Sequence, residues 1–232
     1  MLTPTLSTSS SDIKNLQEKG DSFMPLSTSS AAPQLFYSEG SPYARICRMA
    51  LRERGLMPQV REATTTLRDP AAAVLPHNPV GRVPALVLRD GTTLTETTLI
   101  LGWLDEHGSE PAMLPGDAQG LAAYGRVLGL LDGIAVWNRE LRRPEAERSP
   151  SVLSLEATRA NRIADALERD VADGVYANID AGSLALLAVL GYAERRHTVW
   201  KWRMNRPQLE LWFIRASQRA SFCETLPPLS GI

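Results

Sequence analysis

A chain of 232 residues is long enough for a well-buried core and for two small domains. Its 25 Lys and Arg balance 26 Asp and Glu, which leaves no excess positive charge to hold a phosphate backbone and argues against nucleic acid as a partner. Cys47 and Cys223 lie far apart and three histidines are scattered, so neither a disulfide framework nor a metal site can be assembled from any familiar spacing.

Residues 1–33 are rich in Ser, Thr and Pro and contain the string LSTSS twice, starting at Leu6 and Leu26. Such a segment buries too little apolar surface to offset its ordering entropy, and we expect it to be a disordered extension, with Met24 as an alternative start. It lacks the basic start and apolar core of a secretory signal, and no apolar stretch approaches the roughly 20 residues that cross a bilayer. The expectation is therefore a cytoplasmic protein with no membrane partner.

Ordered structure is expected from Gln34. QLFYS reads as a strand, and SPYARICRMALRERG as a helix with Ile46, Met49, Ala50 and Leu51 at helical spacing and Gly55 as its stop. PQVREAT alternates as a second strand, and LRDPAAAVLP can hold a short helix before the loop HNPVGR. VPALVLRDGTTL predicts two strands joined at Asp90-Gly91. TETTLILGWLDEHG closes the region as a helix, capped by Thr95, with Leu99, Ile100, Trp103 and Leu104 on one face. The order βαβαββα occupies residues 34–110.

SEPAMLPGD reads as a linker, and residues 117–232 contain only helical patterns. Asp117 to about Leu141 forms one helix. SPSVLSLEATRANRIADALERDVADG forms a second with Leu155, Ile163, Ala166 and Leu167 among its apolar positions. IDAGSLALLAVLGYAERRH forms a third, apolar enough to be central, and RPQLELWFIRASQRASF a last one opened by Pro207.

A strand leading into SPYAR, then NPVGRVPALVLRDGTTLTET, then an all-helical region ending in RPQLELW and RASF resembles the cytosolic glutathione S-transferases, from Gln34 to the C-terminus. The SPY start is similar to the bacterial and zeta-like members that use serine. The resemblance implies a thioredoxin-like N-terminal domain followed by an all-α domain. SPYA stands where glutaredoxins carry CPYC, so both redox cysteines are replaced and disulfide reduction through a mixed disulfide is poorly served.

The resemblance implies that glutathione is the cosubstrate and that no metal is needed. Ser41 is then the catalytic hydroxyl: at a helix N-terminus it has no adjacent base to make it a nucleophile, but it can donate to a bound thiolate and favour the ionised form. Read alone, Ser41 followed by Pro42 is equally an N-cap. Val83-Pro84 is implied to be cis and to present the Val83 backbone to the cysteinyl part of the ligand, with Arg82 close by. An ordinary strand-opening proline and a solvated arginine are the plain alternatives. Glu96 and Thr97 suit a γ-glutamyl group, Glu96 accepting from the ammonium and Thr97 donating to the carboxylate. The same residues also suit a helix start with an acidic first turn.

Tyr37 is expected to pack on the core and Cys47 to be a small buried residue. Asp180 can cap its helix, with Ser183 a poorer return partner than the acidic residue the family usually carries there. The second substrate is expected to be a small hydrophobic electrophile in an apolar pocket lined by Tyr124, Leu128, Leu131 and Trp137, in a homodimeric detoxification enzyme. Isomerase or dehalogenase chemistry and glutathione or protein binding without turnover remain open.

Overall fold

A computed structural model describes residues 31–109 and 111–230. The expectations for the N-terminal extension up to residue 30 lie outside the described residues.

Strand β1 (Gln34–Tyr37) lies inside a four-stranded sheet of order β2-β1-β3-β4. It pairs in parallel with β2 (Arg61–Thr64), Gln34 opposite Arg61, and antiparallel with β3 (Ala85–Val87), Gln34 opposite Val87. β3 pairs antiparallel with β4 (Thr93–Thr95). The hairpin falls at Asp90-Gly91 as expected: Gly91 takes φ 87° and the Asp90 carboxylate accepts the Thr92 N–H at 2.9 Å.

Between β1 and β2 runs helix α1 (Pro42–Glu53), which buries Ile46, Cys47, Met49, Ala50 and Leu51. Helix α2 (Thr97–His107) follows β4 and packs against α1. Two details of the sequence reading change here. α2 starts at Glu96 rather than with a Thr95 cap, because Thr95 is held in β4 opposite Ala85. Its buried stripe is Thr97, Ile100, Leu101 and Leu104, while Leu99 is 63% exposed.

The thioredoxin-like sheet and helices are as expected, with one local correction. Residues 67–76 form consecutive turns rather than a short helix. Asp69 folds back to accept the Ala71 N–H at 2.8 Å, and further turn bonds run from Ala72 to Asp69 and from Leu75 to Ala72. An aspartate hydrogen-bonding two residues on beside Pro70, which has no N–H to give, favours turns over a helix.

The remaining elements are helical. Helix α3 (Ala118–Leu141) is capped by Asp117, whose carboxylate accepts the Gly120 N–H at 2.8 Å. Helix α4 (Pro150–Ala172) starts at the Ser149 cap. Helix α5 (Ala181–Arg196) is buried along almost its whole length, α6 (Pro207–Ala216) starts at Pro207, and α7 (Ala220–Cys223) closes the set. The expected last helix thus divides into two. Leu155 is exposed, since α4 turns Glu156, Ala160, Ala164 and Leu167 inward at a spacing of three to four.

By length and composition alone, α3 is long and apolar enough to cross a membrane, where the sequence reading expected no such stretch. Its apolar side is covered by α4 and α5.

Ser183 also does more than expected. Its N–H donates to the Asp180 carboxylate at 2.8 Å while the Asp180 N–H donates to its hydroxyl at 2.9 Å, closing a full capping box. Serine is short, but the extended Asp180 backbone brings its N–H within reach.

α1 joins the two domains. Arg45, only 2% exposed, reaches from α1 into the helical region, where Nη2 donates to the Phe222 carbonyl at 3.0 Å and the guanidinium lies 4.0 Å over the Phe222 ring. Gly191 on α5 makes room for it: a Cβ there would stand 2.6 Å from Arg45 Nη1.

Candidate functional site

Where the sheet domain faces α3 and α5 a cleft of about 860 Å³ opens, and all six residues singled out from the sequence line it: Ser41, Arg82, Val83, Pro84, Glu96 and Thr97. Each is placed by a local feature of the chain.

Ser41 is the N-cap of α1, and its Oγ accepts the Ala44 N–H at 3.2 Å. The two readings of this residue are therefore compatible. An oxygen that accepts from the helix keeps its own proton to donate, and accepting makes that hydroxyl a somewhat better donor. The free N–H groups of the first turn add a favourable field for an anion in front of it.

The Val83–Pro84 peptide is cis. Among the described residues, the Val83 N–H and C=O take no backbone partner although Val83 is buried. A ligand running alongside as an extended strand would satisfy both. The preceding loop is held from below, Asn78 Nδ2 donating to the Arg82 carbonyl at 2.9 Å, while the Arg82 guanidinium is exposed at the rim.

Glu96 sits at φ 69°, ψ 130°, a conformation that a residue with a Cβ adopts at a cost of about 1–3 kcal/mol, and its side chain makes no cap bond. The carboxylate is thereby left free at the head of α2. Thr97 is buried, and its hydroxyl has no partner among the described residues. The N–H groups of Thr97, Thr98 and Leu99 precede the first intrahelical bond, made by Ile100 to Glu96. A carboxylate acceptor, a hydroxyl donor and open helix N–H groups on one spot match an amino acid's ammonium and carboxylate together.

The opposite wall differs from the expected apolar one. Tyr124, Leu131 and Trp137 are core residues and Leu128 packs against the core; none reaches the cleft. They belong to the face of α3 that meets α4 and α5, and Tyr124 bonds Thr98 at 3.0 Å. The face turned to the cleft carries Asp132, Ala135, Val136 and Arg139 instead, joined by Arg142 and by Tyr192 and Arg196 of α5. Periodicity revealed that α3 is amphipathic but not which of its sides meets the sheet domain. Tyr43, two residues after Ser41, spans the cleft by donating its hydroxyl to Asp132. Burial, and then the Asp132 carboxylate, push the Tyr43 phenol well above its usual range, so it stays a neutral donor.

Of the other residues considered, Tyr37 packs partly buried with the Arg48 guanidinium 3.9 Å over its ring. Cys47 is fully buried, and burial pushes its thiol far up, which makes it inert.

The comparisons with known proteins agree with this architecture. Residues 35–112 match the glutathione S-transferase N-terminal domain family. Over 201 residues the chain is 29% identical to YibF, an uncharacterised GST-like protein of Escherichia coli (strain K12), covering 84% of this chain and 98% of that protein. Its fold superimposes on a glutathione transferase family member from Pseudomonas fluorescens Pf-5 with bound glutathione at a TM-score of 0.79, with 28% identity over 85% of this chain and 100% of the other. A glutathione S-transferase from Methylobacillus flagellatus KT with glutathione bound gives 0.78, with 28% identity over 84% of this chain and 100% of that one. The sheet, the helical domain and the cleft between them thus have the fold of the glutathione transferases, and residues 35–112 are a glutathione S-transferase N-terminal domain.

Proposed function

We propose that the protein binds glutathione in this cleft and activates its thiol for transfer to an electrophile. The observation that supports this most is the convergence of Ser41, the unpaired Val83 backbone and the Glu96–Thr97 helix start on one cavity. In this reading Glu96 and Thr97 hold the γ-glutamyl group, Val83 pairs with the cysteinyl backbone and Arg82 approaches the ligand at the rim. The Ser41 hydroxyl donates to the sulfur. Stabilising the thiolate by one pKa unit takes about 1.4 kcal/mol, within the range of one hydrogen bond to a charged group.

The thiolate then forms a C–S bond with the electrophilic carbon. A leaving group departs with its electron pair, or, on an activated alkene, the π pair moves to the neighbouring carbon and takes a proton from water. The proposal includes a cytoplasmic homodimer, following the family resemblance.

The test is the ultraviolet absorbance of thiolate during a pH titration of the glutathione complex, for the wild type and Ser41→Ala. The wild type is expected to lower the thiol pKa below its free value near 8.5. Ser41→Ala is expected to bind S-methylglutathione within a few-fold of wild type, to lose the shift, and to fall on the order of a hundredfold in kcat/KM. An unshifted thiol in the wild type would sink the catalytic reading and leave a glutathione-binding protein.

A further inference from the structure

We infer that the second substrate is an anion, a carboxylate-bearing electrophile whose charge is held by Arg139, Arg142 and Arg196 on the helical wall of the cleft. This rests on the glutathione reading only in that it names the other occupant of the same cavity.

Several arginines of this chain are neutralised by a carboxylate. Arg48 and Arg52 pair with Glu62, Arg126 with Asp170, Arg206 with Asp165 and Arg219 with Glu53. Among the described residues, the three arginines of the helical wall form no ion pair. They meet neutral groups instead: Arg139 Nε donates to the Ala135 carbonyl at 3.2 Å, Arg142 Nη2 to the Ser230 hydroxyl at 3.5 Å and Arg196 Nη1 to the Pro228 carbonyl at 3.0 Å. Among the described residues, Arg196 Nε is buried with no hydrogen-bond partner. Carbonyl and hydroxyl contacts orient a guanidinium without neutralising it.

The carboxylates lining the cleft compensate only in part. Asp132 keeps its charge on the helical wall while accepting from Tyr43, one carboxylate against three guanidiniums there, and Glu96 lies across the cleft at the head of α2. With Arg68 and Arg82 on the sheet side, five arginines line the cleft against two carboxylates, an excess of positive charge in a concavity that draws anions in and focuses them. Exposed arginines leave donors free, and a guanidinium matches a carboxylate through two parallel hydrogen bonds.

The placement suits attack by the sulfur. Arg196 packs against Gly40, where an added Cβ would lie 3.0 Å from its Cζ, so this charge stands one residue from Ser41. Ala135 and Val136, on the same turn of α3 as Arg139, line the cleft with small apolar groups that suit a short carbon skeleton. A small acid anchored on the arginines thus brings its carbon chain between them and the serine.

The experiment is calorimetric titration of the full chain, saturated with S-methylglutathione, with cinnamate and with its uncharged isostere cinnamamide. The wild type is expected to bind cinnamate at least tenfold tighter than cinnamamide, with the preference shrinking as salt is raised. In the R139Q/R142Q double variant the ratio is expected to fall to within about twofold, and R142K to retain part of it. Both replaced side chains are exposed and unpaired by carboxylates, so folding is not at stake, and the uncharged amide reports whether the cavity itself persists. Equal affinities in the wild type, an unchanged ratio in the double variant, or displacement of cinnamate by S-methylglutathione would each overturn the inference. If S-methylglutathione does not bind, the glutathione reading fails, while the cinnamate-to-cinnamamide ratio still decides this one.

Discussion

Apart from the exposed guanidiniums of Arg68 and Arg82, the sheet-domain wall of the cleft offers short groups: one hydroxyl at Ser41, the backbone of Val83, and the N–H groups and hydroxyl at the start of α2. The helical wall offers long ones, the guanidiniums of Arg139, Arg142 and Arg196, together with Tyr192. Short groups are positioned by the turn or cap they belong to and stay in place as long as that local element forms. Long side chains on α3 and α5 reach their positions only through the docking of the helical domain against α1. The two walls therefore fail for different reasons: local chemistry on one side, packing on the other.

The largest effect expected comes from breaking the docking. Gly191→Val places a branched side chain where a single Cβ would already stand 2.6 Å from Arg45 Nη1 and 2.8 Å from Phe222 Cε2. Neither neighbour can retreat into solvent, since Arg45 and Phe222 are both buried. Overpacking of this kind costs about 3 kcal/mol, to be read from urea midpoints. Affinity for S-methylglutathione in the fraction still folded is expected to stay within a few-fold, because α2 and the Val83 loop are untouched. A parallel loss on both walls would mean that they are not separable.

Acid should also discriminate between them. His197 ends α5, is fully buried, and lies 3.3 Å through Nδ1 from Asn138 Nδ2, the same amide that donates to the Arg196 carbonyl at 2.8 Å. Burial pushes its pKa down from 6.5 to about 4. Below pH 6.5 the unfolded chain takes up a proton that the folded imidazole refuses until about pH 4, so the unfolded state binds more protons and stability falls as pH falls. The contribution is complete above pH 6.5, and about 2 kcal/mol of it is gone by pH 5. Urea midpoints across this range should show the slope, and His197→Phe should flatten it. On the sheet side, Glu62, partly buried yet held below its usual range by hydrogen bonds from Arg52 and Arg48, loses its contribution at lower pH, as the pH falls through the carboxylate range.

The same division explains what could be read from the sequence. Ser41 before Pro42, Asp90-Gly91, and Glu96-Thr97 are short-range signals whose geometry follows from neighbouring residues, and the sheet wall was legible through them. The helical wall was not. The period of α3 shows an apolar stripe with Tyr124, Leu131 and Trp137, but which of its two sides meets α4 and α5 and which meets the cleft depends on contacts far along the chain. The turn segment at residues 67–76 failed for another reason, a composition that suits a helix overruled by one aspartate bonding its own backbone. The capping box at Asp180 shows the converse: side-chain length counted against Ser183, while backbone geometry decided for it.

Thr97 and Thr98 give the finest test, because they are adjacent and chemically identical yet belong to different sides of the argument. The Thr98 hydroxyl is engaged with the Tyr124 hydroxyl at 3.0 Å, a bond that ties α2 to α3. The Thr97 hydroxyl has no partner among the described residues and lines the cleft. Valine keeps the shape of threonine and removes only the hydroxyl's hydrogen bonding. Thr97→Val is expected to weaken S-methylglutathione about tenfold, the loss of one hydrogen bond to a charged group, with urea stability changed by less than about 0.5 kcal/mol. Thr98→Val is expected to do the reverse, lowering stability by about 1 kcal/mol through the stranded Tyr124 hydroxyl and leaving affinity within twofold. If both variants lose affinity alike, the hydroxyl of Thr97 is not a ligand contact, and the start of α2 acts through its backbone N–H groups alone.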